Sequence, residues 1–258
     1  MKTKEQLKLL NLLDWERQTI IYPGVTRFSD RGAIKDMSAD GKSCEIVYSS
    51  CSEGEVDQMI NHQIQAAQSA GYELEWKLYG HDRPHCLGER LTAAGFEADA
   101  KETFMVFHAN NEALNRFGVC SSDVRRVTSK EELKDVQFIS EEVYGRSFEK
   151  QIDFWGFMLE NHPGNMSIYV AYIDGEPAAS GRIYFHNESK FAGIYGGQTR
   201  ERFRQRGLFT QIVAIRIREA LSRGIVNVCV DALPTSEPIL RKRGFESITH
   251  TQPFRFLE

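Results

Sequence analysis

Residues 199–210 read Thr-Arg-Glu-Arg-Phe-Arg-Gln-Arg-Gly-Leu-Phe-Thr and stand between a strand-like and a helix-like segment. Four arginines, Arg200, Arg202, Arg204 and Arg206, therefore crowd the start of a predicted helix. The helix dipole disfavours each cation there by about 0.3–1 kcal/mol, so the pattern makes sense if an anion sits among them. The backbone N–H groups of Arg206, Gly207, Leu208, Phe209 and Thr210 would point at that anion, and Gly207 would let the backbone come close. A solvated basic turn is the plain alternative. The loop carries neither the Gly-x-x-x-x-Gly-Lys-Ser/Thr of a nucleotide P-loop nor the Gly-x-Gly-x-x-Gly of a dinucleotide site.

The elements that would position this loop can be read from periodicity. Val124–Val127 reads as a strand, and Ser129-Lys130-Glu131-Glu132 as a capping box before a helix through Val143. A second helix spans Phe148–Glu160. Strands follow at 167–173, 178–185 and 191–198, with Asp174-Gly175 and Asn187-Glu188-Ser189 as turns. The helix 208–222 comes next, then a strand at 226–231, a short helix ending in Leu240-x-x-x-Gly244-Phe245, and a last strand near Pro253–Phe256. The order β-α-α-β-β-β-α-β-α-β implies an α/β fold, a mixed and mostly antiparallel sheet with helices on both faces.

Part of this order occurs twice. A helix at 55–70 places Val56, Met59, Ile60, Ile64 and Ala67 on one face and stops at Gly71. The strand 73–79, a turn with Pro84, a short helix ending in Leu91-x-x-x-Gly95-Phe96 and the strand 103–107 follow. The polar stretch around Asn110, Asn111, Gly118, Ser121 and Ser122 is the natural boundary, giving domains at 1–115 and 123–258.

Composition narrows the class. With 41% hydrophobic and 26% charged residues and a net charge of −4, the chain has no global field to recruit nucleic acid or an anionic membrane. No apolar run approaches the roughly 18 residues of a membrane span, and the N-terminus has no signal-peptide core. Five scattered cysteines without a Cys-x-x-Cys pair argue against a disulfide framework or a structural zinc site and fit a reducing cytoplasm.

Arg204-Gln205-Arg206-Gly207-Leu208-Phe209 resembles the Arg/Gln-x-x-Gly-x-Gly/Ala coenzyme A loop of the GNAT (acyl-CoA N-acyltransferase) superfamily, departing from it at Phe209. Residues 234–245 resemble the family's second signature, and the element order fits over 123–258. The resemblance implies that acetyl-CoA is the co-substrate, with its diphosphate on amides 205–210 and its pantetheine along the strand ending at Gln198-Thr199. It implies no metal. The acyl carbonyl would lie where strands 191–198 and 226–231 splay apart. At the equivalent loop the first half reads Tyr48-Ser49-Ser50-Cys51-Ser52-Glu53-Gly54-Glu55, whose acids would repel a diphosphate, so this half reads as a copy without the cofactor site.

Acyl transfer needs a deprotonated amine, a polarised carbonyl and a protonated leaving thiolate. Where many family members have a tyrosine acid, this chain has Leu240. Tyr195, Asp231 and Ser236 are the alternatives, against structural roles as core aromatic, turn residue and helix cap. His81, His85 and His186 stand in no recognisable pair, and Gly196-Gly197 suggests a bulge where a ligand approaches. The expected activity is transfer of acetyl to a primary amine of a small acceptor, with a non-catalytic acyl-CoA sensor as the alternative.

Overall fold

A computed structural model describes residues 2–118 and 122–256, so Cys120 and Ser121 lie outside the described residues. The chain folds as two compact units, each packed mainly on itself. The first holds residues 1–105, 231–237 and 247–258, and the second 106–230 and 238–246. This division departs from the cut expected at 1–115 and 123–258. The last strand, β12 (Glu246–Phe256), pairs antiparallel with β4 (Glu73–Tyr79) from Thr251↔Tyr79 to Phe256↔Leu74. Periodicity shows where a strand runs but not which neighbour completes its ladder.

In the first unit a capped helix α1 (Lys4–Thr19) precedes a meander of β1 (Val25–Asp30), β2 (Ala33–Ser38) and β3 (Ser43–Ser49), elements that apolar spacing alone does not reveal. Then come α2 (Val56–Ala70), β4, α3 (Leu87–Ala93) and β5 (Phe96–Ala98). The ladder runs β1-β2-β3-β4-β12, with β5 on β12. Apolar α2 residues Val56, Met59, Ile60 and Ala67 pack on Ile46, Leu74 and Trp76. Gly71 ends α2 at φ 70°, donating to the Ala67 carbonyl. Arg17 of α1 is buried, and its guanidinium donates to both oxygens of Asp82 at 2.7 and 2.8 Å and to the Val47 carbonyl.

The strand β6 (Glu102–His108) spans the division between residues 105 and 106. The second unit then has a one-turn helix α4 (Asn111–Leu114), β7 (Asp123–Val127), α5 (Leu133–Tyr144), α6 (Glu149–Asn161), β8 (Met166–Ile173), β9 (Glu176–Tyr184) and β10 (Phe191–Thr199). After these come α7 (Leu208–Ser222), β11 (Asn227–Ala232) and α8 (Glu237–Lys242), so the element order is the expected one. The strands β7, β8, β9 and β10 pair antiparallel in sequence, and β10 pairs parallel with β11. Leu133, Val136, Ile139 and Trp155 close one face over Ile168 and Val170. The expected capping box does not form at α5: Glu132 is the N-cap without a side-chain cap bond, and its carboxylate accepts from the N–H and hydroxyl of Thr128. Asp174 (φ 52°) and Gly175 (φ 80°) make the predicted hairpin turn, where left-handed backbone favours Gly and Asp.

Candidate functional site: an anion cradle beside a splayed strand

The β10–β11 ladder runs through Phe191↔Asn227, Ala192↔Val228 and Gly193↔Cys229 and stops there. On its other side β10 stays paired with β9 to Thr199↔Ala179, across a register shift between Tyr195 and Gln198. The edge of β10 from Ile194 to Thr199 thus has no registered β11 partner, and the bulge is at Gly196-Gly197, as the sequence suggested.

The chain then turns through 201–203 and enters α7. Gln205 (φ 64°) and Gly207 (φ 75°) both take left-handed backbone, and Gly207 is the N-cap of α7. A Cβ on Gly207 would meet nothing closer than Gln211 Nε2 at 4.0 Å, so the glycine is there for its backbone angle and bare surface. The first backbone bond of the helix is Gln211 N–H to the Gly207 carbonyl. Among the described residues, amides 205–210 donate to no other backbone group. Six consecutive N–H groups at a helix start, some on left-handed backbone, form an anion-binding concavity.

The four arginines divide. Arg200 is buried and structural, with its guanidinium between Glu142 at 2.6 Å and Glu176 at 2.8 Å and a further bond to the Pro177 carbonyl. Hydrogen bonding to Arg200 holds the Glu142 carboxyl below its ordinary range. Arg202 pairs with Glu176. Arg204 and Arg206 are exposed and form no ion pair among the described residues; Arg204 makes one long bond, 3.4 Å, to the Thr199 carbonyl. Of the four arginines at the helix start, Arg200 and Arg202 are thus taken up by acids on α5 and β9, which spacing in sequence does not reveal.

The remaining predicted ligands lie at the end of β10 and in the first turn of α7. Gln198 is buried and donates to Ser140 and Ser180 hydroxyls at 2.6 and 2.9 Å, while its Oε1 and the Thr199 hydroxyl have no hydrogen-bond partner among the described residues. Leu208 is buried and Thr210 half-buried. Phe209, the bulky departure from the motif, lies against bare Gly197, where a Cβ would come within 2.9 Å of its ring. The glycine thus accommodates the size of residue 209. Arg216, 1% exposed, carries no signal in the sequence beyond its place on a helix. Its guanidinium nevertheless donates to the carbonyls of Ile212, Arg182 and Tyr195 and pins the bulge to α7. Burial, and then the charge of Arg182, pull its pKa down to about 9.

The catalytic candidates fall in different units. Tyr195 belongs to the second, is 41% exposed, and lies edge-on to Tyr184 at 5.6 Å, so it is not the core aromatic of the plainer reading. Asp231 and Ser236 belong to the first. Asp231 is ion-paired with Lys77 at 2.6 Å and accepts from Thr251 at 3.2 Å. Nearby Glu102 is pushed up to about 7 by burial and then by Asp231. Ser236 directly precedes α8, and its hydroxyl donates to the Leu233 carbonyl. Leu240, at the family's tyrosine position, is 1% exposed. His81 is held by Asp14 at 2.9 Å and Thr249 at 3.2 Å, and His186 accepts from the Glu188 amide. At the start of α2, Glu55 accepts from the Ser52 amide and hydroxyl, so that helix supplies its own anion. No disulfide joins the described cysteines Cys44, Cys51, Cys86 and Cys229. Among the described residues no helix is long and apolar enough to cross a membrane.

Residues 130–245 match the Acetyltransferase (GNAT) family. The fold is similar to that of a GCN5-related N-acetyltransferase from Kribbella flavida, with 14% identity and a TM-score of 0.70 over 99% of this chain and 95% of that one. It is also similar to a tandem GNAT protein from the clavulanic acid biosynthesis pathway, with 12% identity and a TM-score of 0.66 over 97% and 94% of the two chains. A Staphylococcus epidermidis protein of unknown function aligns with 15% identity and a TM-score of 0.68 over 92% and 95%. At these identities the likeness concerns the fold. No curated protein matches the sequence.

Proposed function

We propose that the protein is an N-acetyltransferase that carries the acetyl group of acetyl-CoA to a primary amine of a small acceptor, using a coenzyme A site in residues 123–258. The carrying observation is the run of amides 205–210, without backbone partners among the described residues, flanked by the charges of Arg204 and Arg206. These groups suit a diphosphate, and the open β10 edge from Ile194 to Thr199 offers backbone partners to pantetheine amides. In this reading the amine nitrogen attacks the thioester carbon, the C–S bond breaks, and the thiolate takes up a proton as the nitrogen loses one. A thiol pKa near 8.5 makes that thiolate a tolerable leaving group, so the missing tyrosine acid is a modest loss. Tyr195, on the strand beside the opening and 41% exposed, is the proton donor we assign. Asp231, committed to Lys77 and Thr251, and Ser236, donating to Leu233, are assigned supporting roles.

The N-terminal half, 1–115, is read as a scaffold copy without a cofactor loop, because the acids Glu53, Glu55 and Asp57 at the start of α2 would repel a diphosphate. A soluble cytoplasmic enzyme without nucleic-acid or membrane partners fits the charge and cysteine usage. Buried Leu240 favours a second reading, an acyl-CoA-binding sensor without turnover. Calorimetric titration of the intact protein with acetyl-CoA is expected to give one site per chain, and thiol release with a panel of amines separates enzyme from sensor. Two equivalent sites would refute the asymmetric assignment, and no binding at all would refute the reading.

A further inference from the structure

Beside the splayed edge stands a cation that no described residue neutralises. Arg182 on β9 is directly across from Tyr195 in the β9–β10 register, so both side chains leave the sheet on one face. The Arg182 guanidinium lies 3.9 Å from the centre of the Trp155 ring of α6. It makes no ion pair among the described residues, and its Nε is buried without a hydrogen-bond partner. Other shielded arginines behave differently. Arg17 and Arg200 meet carboxylates, and Arg216 spends its protons on three carbonyls. Half-burying a guanidinium with an unsatisfied N–H costs free energy that an aromatic face offsets only in part.

The backbone opposite is shaped around this group. Gly196 has φ 56°, and a Cβ there would fall 2.5 Å from Nη1 and 2.7 Å from Nη2 of Arg182. A bare bulge thus seats the guanidinium at the point where β10 parts from β11 and beside exposed Tyr195. A planar fork of donors on an aromatic ring, with neighbouring Arg216 already committed to carbonyls, matches a carboxylate better than a phosphate dianion.

We propose that Arg182 binds a carboxylate carried by a substrate, so that the enzyme acts on an anionic substrate: an acceptor amine bearing a carboxylate, or a dicarboxylic acyl donor. This rests on the acetyltransferase reading only in assigning the carboxylate to a substrate.

The site is tested on the full chain by NMR of the Arg182 Nε–H resonance, assigned by its disappearance in Arg182→Lys. Propionate, titrated to concentrations on the order of 10 mM as expected for so small a ligand, should shift it saturably, and propionamide should not. No shift, or equal shifts with both, overturns the site. Dissociation constants of succinyl-CoA and acetyl-CoA for wild type and Arg182→Gln then locate the carboxylate. A roughly 10–100-fold wild-type preference for succinyl-CoA that the variant loses places it on the acyl group. Equal affinities alongside a propionate response place it on the acceptor. A preference that persists in Arg182→Gln overturns the assignment to Arg182. Propionate binding without coenzyme A binding would instead refute the acetyltransferase reading and leave the carboxylate site standing.

Discussion

Replacing Arg200 and Arg204 separately should produce opposite defects, although the two are four residues apart in one basic loop. The Arg200 side chain is 4% exposed and is held by Glu142 at 2.6 Å, Glu176 at 2.8 Å and the Pro177 carbonyl. Removing one partner of a fully buried ion pair costs about 3–5 kcal/mol. Here both carboxylates are 38% exposed and water can recover part of their solvation, which brings Arg200→Ala to about 2–3 kcal/mol. Arg204 has one 3.4 Å bond and stands before a helix N-terminus. Arg204→Ala should therefore leave the unliganded protein unchanged or stabilise it by about 0.3–1 kcal/mol. Its coenzyme A affinity should fall by about 1–3 kcal/mol, roughly 5- to 150-fold in Kd. Urea unfolding reads the first quantity and calorimetry the second. Arg200→Ala with wild-type stability and lost coenzyme A binding would show that this division of the arginines is wrong. So would Arg204→Ala that is destabilised.

Three further outcomes are expected. Glu102, pushed up to about 7 from an ordinary 4.5, keeps its proton in the folded state over that window, so its contribution is full below about pH 4.5 and is lost as pH rises to 7. Partial exposure reduces the effect to about 1–2 kcal/mol, measured as the difference in unfolding free energy between wild type and Glu102→Gln from pH 4.5 to 8; a flat difference would contradict it. Asp231→Asn should remove the charge that pairs with Lys77, whose side chain is 19% exposed against 7% for Asp231, and cost about 1–3 kcal/mol. A double-mutant cycle with Lys77→Met that shows no coupling would place Asp231's role elsewhere. Gly207→Val puts a β-branched residue at φ 75° and should cost about 1–3 kcal/mol in stability and more than about tenfold in coenzyme A affinity; unchanged binding by calorimetry would exclude the amide cradle.

Local signals carried much of this molecule. Helix α7 begins at Leu208 and ends at Ser222 as its apolar spacing dictates, and Gly71 stops α2 because a glycine at that angle has no Cβ to strain. The arginine-rich loop stands out for a similar reason: arginines at a helix start are locally unfavourable, and the chain shows that conflict in its spelling. What the spelling could not contain is who meets whom. The acids that claim Arg200 come from α5 and β9, distant in sequence, so charge spacing alone does not separate Arg200 and Arg202 from Arg204 and Arg206. The strand β12 reads the same whether it closes one unit or another, and only its ladder with β4 moves it out of the C-terminal half. Nothing in the spelling places Lys77 against Asp231, and Arg182 reads like any strand arginine until the fold leaves it without an acid among the described residues. Burial and pairing depend on long-range partners, whereas helix ends, turns and loop charge depend on neighbours along the chain, and only the latter are written in the order of the residues.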